Sequence, residues 1–137
     1  MTSPRLAVPA PVRAIALLFL FGVFASLFAA ITLVFPGTAL DAAWSVNPAG
    51  HAGMLRLGGW AVLLMLGVCA ACITAAYGLF TGRPWGRAFA IGGLSANLCG
   101  NVLSAVLRHE PATLIGVPIA LALIIYLARR PATSSPA

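Results

Sequence analysis

The chain has 137 residues, 61% of them hydrophobic and only 7% charged. Soluble domains carry roughly 25% charged residues, and a domain of this length has too little interior to hide so much apolar surface from water. The net charge of +6 comes from eight arginines with no lysine, scattered at the ends of apolar runs. That is the distribution of topology signals, not of a phosphate-binding patch, so no nucleic-acid partner is expected.

The first apolar run covers residues 14–35 behind Arg5 and Arg13. Its 22 residues exceed the 7–15 of a secretory leader's apolar core, and Phe28 lies where a cleavage site ending at Ala30 needs a small residue. A retained transmembrane helix is expected. Residues 1–13 form an N-terminal tail.

Residues 36–56 read as a loop. Asn47-Pro48 is a helix cap followed by a first-turn proline, which predicts a helix from Pro48 that runs along the membrane surface and continues into the second span. That span covers residues 57–80. Within it, Cys69 and Cys72 form a Cys-x-x-Cys pair that resembles the motif of membrane thiol oxidoreductases. The likeness ends there, because an apolar setting disfavours the reactive thiolate and no loop cysteine is present to relay electrons. With Cys99 they are read as packing cysteines.

The turn Thr81-Gly82-Arg83-Pro84 separates the second run from the third, at residues 88–107; Gly82 suits the end of a helix and Pro84 blocks its continuation. In the third run Asn97, Asn101, Ser104 and Arg108 are spaced four, three and four. At 100° per residue they form one stripe, with Asn97 near mid-span, where polar groups are costly and should face protein or water. Gly92, Gly93, Ala96 and Gly100 flank it, small residues that admit a neighbouring helix. Interhelical hydrogen bonding is one reading of the stripe, and a binding or transport path for a small molecule or ion is the other.

Arg108-His109-Glu110-Pro111 leads to the fourth run, residues 111–128, where Pro118 is expected to kink the helix. Residues 129–137 read as a disordered tail. The expected architecture is all-α, an integral membrane four-helix bundle of mostly antiparallel, up-down topology. Arg5, Arg13, Arg83, Arg87, Arg129 and Arg130 lie on one side, against Arg56 and Arg108 with both acids on the other. Six arginines against two place both termini in the cytoplasm. Trp44 and Trp60 near one boundary, and Tyr77, Trp85 and Tyr126 near the other, fit aromatic belts.

His51 and His109 are then both expected at the outer surface near Asp41 and Glu110, a set that can hold a metal or, through the two histidines, a haem; no cofactor is otherwise predicted. The spans contain no Asp, Glu, Lys or His, which separates the chain from small proton-coupled multidrug antiporters. No phosphate loop, zinc-protease motif or nucleophile elbow is present, so the reading leans away from an enzyme.

Asn47-Pro48 with His51, the turn from Tyr77 to Arg87, and Asn97-Leu98-Cys99-Gly100-Asn101 together resemble small uncharacterised four-span bacterial membrane proteins. The resemblance covers residues 47–128 and implies the fold, with no activity. The expected function is that of a non-enzymatic membrane subunit in a bacterial inner membrane. Its partners would be the lipid bilayer and either further copies of itself or another membrane protein.

Overall fold

A computed structural model describes residues 8–109 and 111–129, the side chains of Ala112 and Thr113 excepted. Arg5, Glu110 and Arg130 lie outside these residues, as do most of the predicted N-terminal tail and all of the predicted 129–137 tail except Arg129, which ends the last helix. The described residues are helical throughout, joined by short turns. In chain order they form α1 (Ala10–Val34), a 3-10 helix (Ala39–Val46), α2 (Pro48–Leu57), α3 (Gly59–Phe80), α4 (Pro84–Arg108), a second 3-10 helix (Pro111–Ile115) and α5 (Gly116–Arg129).

Three of these helices, α1, α3 and α4, are long and apolar enough to cross a membrane. With 25, 22 and 25 residues, each exceeds the ~20 residues that a hydrocarbon core of about 30 Å requires. Their outward surfaces agree. Phe21 is 70% exposed, Phe24 65%, Leu63 59% and Leu107 70%, side chains that an aqueous surface does not present in continuous bands. Such a surface belongs in lipid, and the chain is a membrane protein.

The fourth apolar segment is built differently from its expectation. Residues 111–115 are 3-10, and the α-helix starts only at Gly116. Pro118 is therefore the third residue of α5, where an N–H has no partner within the helix, so no bond is lost and no kink follows. At 1.5 Å per residue the 14 residues of α5 reach about 21 Å. The preceding 3-10 turn adds about 10 Å at 2.0 Å per residue.

The chain divides into two compact units, residues 18–73 and residues 1–17 with 74–137. In the first, polar side chains within α1 are satisfied locally. Ser26 Oγ donates to the Gly22 carbonyl at 2.7 Å and Thr32 Oγ1 to that of Ala29 at 2.8 Å. Buried hydroxyls bonded back to their own helix need no external ligand. Gly22 faces Cys72, and the Cys69 thiol lies 3.8 Å from the Val23 carbonyl. Both cysteines thus fill an α1–α3 contact, and all three are free thiols.

In the same unit a helix does begin at Pro48, and Asn47 Oδ1 accepts the Gly50 N–H at 2.8 Å. Asn47→Ala should cost about 1 kcal/mol, to be read as a lowered thermal midpoint. The expected continuation into the second span fails at Gly58, whose φ of 55° and ψ of −132° break α2 from α3. Glycine tolerates that conformation because it has no β-carbon.

In the other unit α3 ends in a Schellman motif. The Gly82 N–H donates to the Leu79 carbonyl and the Arg83 N–H to that of Gly78, with Gly82 at φ 66°. This is the arrangement in which a left-handed glycine satisfies the last carbonyls. The chain then reverses so tightly that Gly78 meets Gly86, with the Trp85 ring beside them. Helix α5 packs on α4, whose buried positions are Gly86, Ala90 and Leu94.

Candidate functional site

The predicted stripe on α4 does not share one environment. Asn101 and Ser104 are half-buried, while Asn97 and Arg108 are exposed. A β-carbon at Gly116, the first residue of α5, would lie 3.7 Å from Asn101 Nδ2, so Asn101 borders the α4–α5 contact. The buried line Gly86, Ala90, Leu94 advances four residues at a time, and Asn101 continues it two turns later. Asn97 lies about 40° from Asn101 around the helix, yet it is exposed.

The neighbouring face carries the predicted packing residues. Gly92, Gly93, Ala96 and Gly100 are all exposed, and no described residue lies within 4 Å of a β-carbon at Gly92 or Gly100. Gly92, Ala96 and Gly100 repeat every fourth residue, the small-xxx-small pattern by which membrane helices approach closely. The small-residue face was expected to be the packed face of the helix; among the described residues it stands uncovered. Burial on α4 follows Gly86, Ala90 and Leu94 instead.

The candidate metal histidines belong to different units. His109 ends α4 with φ 53°, a left-handed conformation. Residues with a β-carbon pay roughly 1–2 kcal/mol there, and glycine is the usual occupant. His109→Gly should therefore raise stability by about 1 kcal/mol, seen as a higher thermal midpoint.

His51 is built into a cluster that sequence reasoning did not assemble. Its ring stacks on Trp44, with centroids 4.8 Å apart and planes 8° from parallel. Its Nε2 lies 3.9 Å from Asp41 Oδ1. Trp44 is held in turn, because its Nε1–H donates to Thr32 Oγ1 at 2.8 Å. Asp41 is held by its other oxygen, which accepts the Gly37 N–H at 2.6 Å. The missing signal was the 3-10 helix Ala39–Val46, which carries Asp41 and Trp44 back towards α2. Among the described residues no three His, Cys, Asp or Glu side chains converge as a metal group.

The Thr32–Trp44 bond ties the 3-10 segment to α1. Thr32→Val removes the acceptor and leaves the indole N–H without its partner, which costs about 1–3 kcal/mol. A red-shifted tryptophan emission with a lowered melting point is the expected readout.

Comparison with models of protein families, with curated proteins and with solved structures finds no match for this chain.

Proposed function

We propose that the protein is a non-enzymatic membrane subunit that self-associates through α4. The observation that carries this reading is the uncovered face of Gly92, Ala96 and Gly100 with Asn97 beside it. In lipid there is no water to satisfy an exposed amide, so an Asn near mid-span seeks a hydrogen-bonding partner. A carboxamide both donates and accepts, which makes Asn97 complementary to itself across a two-fold axis. The flanking glycines remove the side chains that would otherwise keep two backbones apart. A second copy of the chain supplies both the facing glycines and the facing amide.

The proposed topology has four spans with both termini in the cytoplasm of a bacterial inner membrane. Support comes from the arginine asymmetry and from the combined length of the Pro111–Ile115 turn and α5, about 31 Å, which matches a hydrocarbon core.

Native mass spectrometry of the full chain released from mild detergent tests the proposal. Homo-oligomers should dominate, whereas a strictly monomeric particle in both detergent and nanodiscs contradicts self-association. A reporter fused after Ala137 should be cytoplasmic.

A further inference from the structure

Arg13, Arg83 and Arg129 are far apart in the sequence, and the fold brings them to one end of a single unit. A β-carbon at Gly82 would lie 3.7 Å from Cγ2 of Val8, so the chain leading into α1 abuts the α3–α4 turn. Arg13 stands in the first turn of α1, and Arg83 directly follows Gly82. Arg129 is placed by register. Gly116 borders Asn101, and α5 packs on α4 after a short connection, so the two helices are antiparallel. Thirteen residues on from Gly116 is Arg129, and thirteen back from Asn101 is Ala88. With the same rise per residue in both helices, Arg129 is level with Ala88, within two turns of Arg83.

All three side chains are exposed, and the described residues of the unit include no carboxylate to pair with them. Arg83 is the N-cap of α4, at the positive end of that helix's dipole, so α4 supplies no counter-charge either. Two aromatic rings mark the depth of this end. Tyr77 and Trp85 pair across the reversal with centroids 6.4 Å apart, and both are exposed. Such amphipathic rings sit at the headgroup level of a bilayer. Arginines beside them, with long stems that carry the guanidinium outward, meet lipid phosphates at that depth.

We infer that this end is a binding surface for anionic phospholipid, whose headgroup phosphate takes N–H bonds from Arg13, Arg83 and Arg129. A guanidinium presents a planar fork of donors that matches phosphate oxygens. Net charge then selects among lipids. Phosphatidylglycerol and phosphatidylcholine both carry the phosphate, but the arginines repel the choline ammonium of the second. A basic residue near an anionic lipid surface contributes about fivefold, so two acting on one headgroup favour phosphatidylglycerol about 25-fold. The inference depends neither on self-association through α4 nor on which side of the membrane this end faces.

The test is photo-crosslinking of the full chain in nonionic detergent by phosphatidylglycerol with a diazirine near its headgroup, the adducts being located by peptide mass mapping. Adducts are expected at the turn from Thr81 to Arg87 and not at Arg108, the far end of α4. Unlabelled phosphatidylglycerol should suppress them at about 25-fold lower concentration than phosphatidylcholine with the same acyl chains. Inorganic phosphate should not suppress them. Arg13→Gln, Arg83→Gln and Arg129→Gln combined should abolish them. Equal suppression by the two lipids, adducts as frequent at Arg108 as at the turn, or undiminished labelling of the triple variant would overturn the inference. Suppression by inorganic phosphate would overturn it too, since the surface would then serve a soluble anion. The lipid comparison uses the unaltered protein, so the test stands even where the variant folds poorly.

Discussion

Gly78→Ala is expected to abolish the α3–α4 hairpin, and Gly86→Ala to do the same. A β-carbon at Gly78 would overlap Gly86 Cα and stand 2.9 Å from Cζ3 of Trp85; one at Gly86 would overlap the Gly78 backbone. Apart from the Trp85 ring, these neighbours are backbone atoms of the opposite helix, which cannot rotate away as the end of a side chain can. Overpacking of a well-filled site costs typically 1–3 kcal/mol and occasionally more. With main chain on both sides, a cost above about 3 kcal/mol is expected. The intrinsic helical gain of about 1 kcal/mol for Gly→Ala does not offset it.

Gly67 provides the control. It is exposed in α3, and no described residue lies within 4 Å of a β-carbon there. Gly67→Ala should stabilise by up to about 1 kcal/mol through helix propensity alone. Thermal unfolding in one detergent should thus move in opposite directions for Gly67→Ala and Gly78→Ala. Equal shifts would contradict the close approach at Gly78.

Gly100→Leu is expected to leave the folded monomer intact while dissociating the oligomer. No described residue lies within 4 Å of a β-carbon at Gly100, so the monomer has room for the side chain. Two helices in backbone contact across that residue do not. A loss of at least a hundredfold in association is expected, about 2.8 kcal/mol at 1.4 kcal/mol per tenfold. Asn97→Leu should cost less. It removes an interhelical hydrogen bond of about 0.6–2 kcal/mol, a three- to thirtyfold effect. Asn101→Leu should behave differently from both, because Asn101 is half-buried by α5, and its loss should lower monomer stability. Sedimentation equilibrium in density-matched detergent, paired with thermal melts, separates the two classes.

Much of the fold was legible because it rests on composition and on strong local punctuation. The apolar runs gave the three long helices, Gly82-Arg83-Pro84 marked a reversal, and Asn47-Pro48 marked a helix start. Their physics is contained within a few neighbouring residues. Legibility ended where tertiary contact decides. Pro118 sits two residues into α5 because the preceding turn is 3-10, and spacing alone cannot tell that turn from α-helix. The stripe from Asn97 to Arg108 is real as a helical face. Which of its edges is covered depends on where α5 packs, and nothing in the α4 sequence states that. Gly78 and Gly86 lie within the quoted turn segment, yet their contact appears only once the hairpin is closed.

The site on the first unit shows the same limit. Asp41, Trp44 and His51 are individually unremarkable polar and aromatic residues in a connecting segment. They become a cluster because Thr32 and Gly37 anchor the 3-10 helix from its α1 side and Asn47 starts α2 at a fixed point. Each anchor is a single hydrogen bond without periodicity, and such bonds leave no pattern for a sequence reading to find.

Self-association through α4 is tested most directly by disulfide cross-linking in native membranes. With Cys69, Cys72 and Cys99 replaced by alanine, single cysteines would be placed at Ala96, Gly100 and Leu94 in turn and oxidised. Covalent dimers are expected for Ala96→Cys and Gly100→Cys, and not for Leu94→Cys, whose position is buried within the chain. Dimers at Leu94 with none at Ala96 or Gly100 would contradict the account.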